Sequence, residues 1–204
     1  MEAPANAVLY LPTANPNDNQ AIGYLYGAAS NPQILSSVLD PTLVDQLTGR
    51  PLYMHGIDHP VVSTGGPSAN KLTNYYEDSR MAALRASVTA YPGAVGFVLR
   101  DGTTIPGAKI PWETDFSHND LFLVELFIDD FGNMVMIVYG ITHLGTLAGG
   151  TYVHEVILQH PGLYQYSWGI YRSTDSPEKP DSIPQRNEIS LVFSEDMLPI
   201  PVID

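Results

Sequence analysis

The stretch DLFLVELFIDDFGNMVMIVY, from Asp120 to Tyr139, decides the fold. Two apolar runs, Asp120–Ile128 and Asn133–Tyr139, flank Asp129-Asp130-Phe131-Gly132. A glycine closing such a turn is the signal of a β-hairpin. Neither run alternates polar with apolar residues. Nearly continuous apolar strands are covered on both faces, so this hairpin belongs at the centre of a sheet with a layer on either side.

Downstream, Tyr139-Gly140 leads through His143 to Gly145-Thr146, and a helix is expected over Gly145–Leu158. Its Gly149-Gly150 pair costs about 1 kcal/mol per glycine relative to alanine, and would let the helix approach the sheet closely. Upstream, His59–Thr64 reads as a strand ending at Gly65-Gly66-Pro67. Ser68–Tyr76 follows as a helix with Ala69, Leu72 and Tyr76 on one face. Strand, glycine turn and helix in succession is an α/β signature. Further strands are expected at Val95–Arg100, closed by an Asp101-Gly102 turn, at Leu163–Tyr171 and at Glu188–Phe193, with a polar, proline-rich loop from Arg172 to Asn187. The predicted class is mixed α/β: a strand-rich, central mixed sheet with flanking helices.

The N-terminal part reads differently. Residues 1–31 form an extended segment with two short apolar strands, Ala7–Leu11 and Ile22–Tyr26, and little local partner for either. Such a segment pairs with its own domain or serves as an assembly arm on a neighbour. Residues 32–204 are assigned to one α/β domain. Within it, Ile34, Leu35, Val38, Leu39, Leu43, Val44 and Leu47 predict a helix over Pro32–Leu47, interrupted at Asp40-Pro41 and ended by Gly49.

Composition excludes several classes of function. The chain has 204 residues and no cysteine, so disulfides, thiolate nucleophiles and cysteine zinc sites are out. Acidic residues outnumber basic ones 22 to 9, a net charge of −13. Phosphate neutralisation needs clustered lysine and arginine, so neither nucleic acid nor an anionic membrane surface is an expected partner. No run approaches the roughly 20 apolar residues of a spanning helix. Met1-Glu-Ala-Pro does not open a signal peptide, and no Asn-x-Ser/Thr sequon occurs.

Five constellations could carry chemistry. Gly65-Gly66-Pro67-Ser68-Ala69-Asn70 could cradle an anion at a helix start, but it lacks GxGxxG spacing and a Lys-Ser/Thr pair. The alternative is a structural turn pinned by Asn70. Gly140, Gly145 and Thr146 could face the same crevice if both turns lie at one sheet edge. His55, Asp58 and His59 have metal-like spacing on a loop. His118 sits between Asp115 and Asp120 beside Ser117, the residues of a conceivable hydrolase, without a nucleophile-elbow motif. Finally, Asp175, Asp181 and Glu188 lie in a D…IP…E loop similar to a calcium loop, with Pro177 and Lys179 at the first two ligand positions. Calcium is the candidate ion there, and no other cofactor is expected.

Val61-Val62-Ser63-Thr64-Gly65-Gly66-Pro67-x-x-Asn70, the strand pair with Gly140 and Gly145-Thr146 after it, and the late acidic loop occur in an order that resembles the S-layer and S-layer-related surface proteins of archaea. The likeness spans Pro60 to Ile189. It implies an extracellular, non-enzymatic α/β domain that assembles with copies of itself into a surface layer or filament. It places Gly65, Gly66, Pro67 and Asn70 in one loop and Gly140, Gly145 and Thr146 in another. The alternative is an extracellular small-ligand or carbohydrate-binding domain, with Tyr164, Tyr166, Trp168 and Tyr171 as stacking surfaces.

Overall fold

A computed structural model describes residues 8–11, 21, 34–37, 41–52, 61–159, 167–175 and 185–197. The strands are β1 (Val8–Leu11), β2 (Ile34–Ser37), β3 (Val61–Thr64), β4 (Leu84–Ser87), β5 (Ala94–Leu99), β6 (Thr104–Pro111), β7 (Asn119–Ile128), β8 (Met134–Gly140), β9 (Trp168–Thr174) and β10 (Ile189–Ser194). Helix α1 covers Lys71–Asp78. Helix α2 covers His143–Tyr152 and continues as one π-helical turn, Val153–Ile157.

The large sheet has the order β10-β9-β7-β8-β3-β1-β2, and β4-β5-β6 form a small antiparallel sheet. The large sheet is mixed. Strands β2, β1, β3 and β8 run parallel, while β7, β9 and β10 pair antiparallel. The predicted mixed, strand-rich α/β architecture is therefore observed.

The hairpin lies where its apolar pattern puts it. Alternate residues of a strand face opposite ways. Leu121, Leu123, Val135, Ile137 and Tyr139 pack with α1 residues Leu72 and Tyr76 and with Leu84, Phe97, Ile105, Ala108 and Ile110 of the small sheet. Phe122, Val124, Met136 and Val138 pack on the other face against Ala148, Val153 and Ile157. The small sheet and α1 form one outer layer and α2 the other. Gly149 permits close seating, because a Cβ there would lie 2.6 Å from Val138 Cγ1. The hairpin turn is built by Asp129, whose Oδ1 accepts from Phe131 N at 2.9 Å and Asn133 N at 2.8 Å, and Gly132 adopts φ +78°.

Three expectations change. The helix predicted over Pro32–Leu47 is not observed: Ile34–Ser37 is strand β2, paired parallel with β1. A short apolar run does not distinguish a helix from a buried strand. Beyond Pro41, Asp45 takes over the local chemistry, accepting from Leu47 N at 2.9 Å and Thr48 N at 2.8 Å and forming a turn rather than a helix. Strand β9 starts at Trp168 and runs to Thr174, past the predicted loop start at Arg172. The small sheet is largely unanticipated, with only β5 legible as Val95–Arg100. Ile22–Tyr26 lies outside the described residues.

Leu123 is fully buried and Leu47 is 94% exposed. Leu123→Ala is expected to destabilise by about 2–5 kcal/mol, and Leu47→Ala by less than about 0.5 kcal/mol. Urea denaturation of both variants measures the contrast.

Candidate functional site

Strands β3 and β8 are parallel neighbours, with Val61 opposite Val135 and Thr64 opposite Val138. Both glycine corners therefore lie at the same edge of the sheet, at the carboxyl ends of adjacent strands. They border a cleft of about 240 Å³ lined by Gly66, Ser68, Gly140, Thr142, His143 and Thr146 among others.

The first corner is closed by Asn70. Gly65 turns the chain with φ +85°. Asn70, fully buried, donates from Nδ2 to Thr64 O at 2.8 Å and accepts from Leu72 N at 2.9 Å. One side chain thus ties the end of β3 to the start of α1 and caps that helix. Thr73 adds a bond to Gly65 O at 3.0 Å.

The second corner is closed by Asp120, which reaches it from β7. Its Oδ2 accepts from Thr142 N at 3.0 Å, Thr142 Oγ1 at 2.6 Å and Gly145 N at 2.9 Å. Its Oδ1 accepts from Leu121 N at 2.7 Å. Every partner is a donor, as an ionised carboxylate requires. Burial pushes the Asp120 carboxyl above its ordinary value, and hydrogen bonds from Thr142, Leu121 and Gly145 oppose the shift. Gly140 and Gly145 leave no room for side chains. A Cβ on Gly140 would meet Gly145 Cα at 2.3 Å, and one on Gly145 would meet Asp120 Oδ2 at 2.6 Å. Thr146 completes the corner, its Oγ1 accepting from Gly140 N at 3.1 Å.

This arrangement disfavours an external anion. The positive end of α2 already faces a carboxylate of the same chain. Three backbone donors at the start of α2 are engaged internally: Thr142 N and Gly145 N on Asp120, and Leu144 N on Thr142 Oγ1 at 3.2 Å.

The remaining candidates are dispersed. Ser117 Oγ donates to Asp115 Oδ1 at 2.6 Å, His118 lies with Nδ1 2.9 Å from Asp175 Oδ2 and Nε2 4.0 Å from Asp115 Oδ2, and Asp120 points to α2. Of the residues read together as a hydrolase set, Asp120 is thus withdrawn, while Ser117, Asp115 and His118 stay neighbours, the closest contact of His118 being Asp175. Asp175, a candidate calcium ligand, faces His118, and Glu188 accepts from Gln185 N at 3.1 Å in a capping box. Asp181, His55, Asp58, His59, Tyr164 and Tyr166 lie outside the described residues. Among the described residues, no group of three or more acidic or histidine side chains gathers as a metal site would need. Trp168 and Tyr171 are not stacking platforms. Both are buried on opposite faces, Trp168 beside Phe193 and Tyr171 stacked on Phe122 with ring centroids 5.3 Å apart.

One cluster escapes sequence reasoning. Glu125 of β7 is buried beneath the small sheet and accepts from Ala83 N. Tyr139 of β8 donates to Glu77 of α1 and accepts from Ala86 N at 3.0 Å. Burial pushes Glu125 up to about 8 and Glu77 up to about 7. Burial and the neighbouring Glu77 carry the Tyr139 phenol well above its usual value. The one signal in the sequence is a lone glutamate inside an apolar strand.

Comparison with protein-family models, with curated proteins and with solved structures finds no match. Asp120→Ala removes four accepted hydrogen bonds and strands buried donors, so a loss of about 2–3 kcal/mol is expected. Asp120→Asn, which keeps one acceptor oxygen, should lose less. Equilibrium denaturation ranks the two.

Proposed function

We propose that this domain is a non-enzymatic, extracellular structural subunit that assembles with copies of itself into a surface layer or filament. The observation that carries the reading is the closure of both glycine corners by the chain's own Asn70 and Asp120. Residues that sequence alone would allow as a ligand cradle are spent on fixing two helices to one sheet. The order of motifs resembling archaeal S-layer proteins points the same way. Exposed large apolar side chains, Trp112 at 52% and Val88 at 63%, supply the kind of surface that assembly covers. Among the described residues, no helix is long and apolar enough to cross a membrane.

A second reading draws on the cleft itself. Ligands in open α/β sheets bind outside the carboxyl ends of strands, so a small neutral ligand such as a monosaccharide is the alternative occupant. The cleft's 240 Å³ falls short of the roughly 300–1,000 Å³ of ordinary ligand pockets, which favours assembly.

Sedimentation velocity and negative-stain microscopy over a concentration series, with and without calcium, test the assembly reading. Ordered oligomers or filaments are expected. A strictly monomeric particle at every concentration overturns it, and saturable shifts of Ser68 and His143 amides with a monosaccharide would favour the second reading.

A further inference from the structure

Strand β4 forms an edge of the small sheet, paired on one side with β5. On its other side it has no strand partner among the described residues. Its segment instead meets side chains of the large sheet: Ala83 N donates to Glu125 and Ala86 N to the Tyr139 hydroxyl, which in turn donates to Glu77. Three ionisable side chains, from α1, β7 and β8, thus stand where a neighbouring strand would supply carbonyls. Glu125 and Tyr139 are completely enclosed, and Glu125 Oε2 has no hydrogen-bond partner among the described residues.

We propose that the Glu77–Tyr139–Glu125 trio is a proton-controlled clasp, which holds the small sheet β4–β6 on the large sheet while its carboxyls are protonated and lets that sheet open more often once they ionise.

The charged surroundings are unfavourable to ionisation. From α1, Glu77 itself and Asp78 face the site with negative charge. Arg85 of β4 acts on Glu77, and Arg100, just after β5, acts on Glu125. Burial outweighs both arginines. From β8, Tyr139 offers only a neutral phenol, and β9 presents apolar Trp168 opposite Glu125. Two carboxylates ionised together here would repel each other across a low-dielectric gap.

The direction follows from linkage. Both carboxyls release protons at higher pH in the closed form, about 7 and about 8, than in an exposed chain, about 4.3. Their contribution to closure is complete below the exposed value. It falls as pH rises through that window, and is lost above about 8. Each group changes the opening constant about tenfold per pH unit inside its window.

Hydrogen exchange read by mass spectrometry, corrected for the intrinsic pH dependence of exchange, tests the clasp on the full chain. Between pH 6 and pH 8 the opening constant of residues 84–111 should rise at least about tenfold, with a smaller change in β7 and β8. Glu125→Gln should reduce that rise, and Glu77→Gln with Glu125→Gln should remove it. Equal protection of residues 84–111 at both pH values overturns the proposal. So does a rise that is matched throughout β7 and β8, or one that persists in the double variant. If the variants do not fold, the wild-type comparison between the two regions decides alone.

Discussion

Strand β7 carries two buried carboxylates on opposite faces, and the layering of the domain depends on them. Asp120 points toward α2 and holds the first turn of that helix. Glu125 points toward the small sheet and receives its edge strand. Between them, Leu121 to Val124 are fully buried, alternating between the two cores. A carboxyl group removed from water is unfavourable unless hydrogen-bonded. The two solutions differ: Asp120 gathers four donors, whereas Glu125 is pushed up to about 8 by burial. The first is a fixed joint and the second is sensitive to protons.

The parts of the fold legible in the sequence are those set by local chemistry. The hairpin is legible because two apolar runs joined through Asp129 and Gly132 admit one economical arrangement. Each glycine corner is legible as strand, turn and helix. Their meeting at one sheet edge is not, since the parallel pairing of β3 with β8 joins residues more than seventy positions apart. The small sheet is hidden for a different reason. Strand β4 is only LRAS, and β6 carries Pro106 and Gly107 within TIPGAKIP, which displaces the buried positions Ile105, Ala108 and Ile110 from strict alternation. Proline and glycine ordinarily argue against a strand. Asp120 reads as a neighbour of His118 because the two are close in sequence. In the sheet, its side chain closes the corner at Gly140 and Gly145, and His118 meets Asp175 and Asp115 instead.

The candidate site becomes more structural as its contacts are followed. A glycine turn before a helix suggests an anion, yet here Asn70 and Asp120 take the donors that an anion would need. The excess of acidic residues, 22 against 9 basic, acts in the same direction. What remains is a small cleft above two rigid corners.

The dependence of the small-sheet layer on β7 is most directly tested by carbon-detected NMR titration of the glutamate side-chain carboxyls, with Glu77 and Glu125 assigned by substitution. The account predicts midpoints of about 7 for Glu77 and about 8 for Glu125. Midpoints near the ordinary glutamate value of about 4.3 would contradict it, because they would place both carboxyls in water rather than between the sheets.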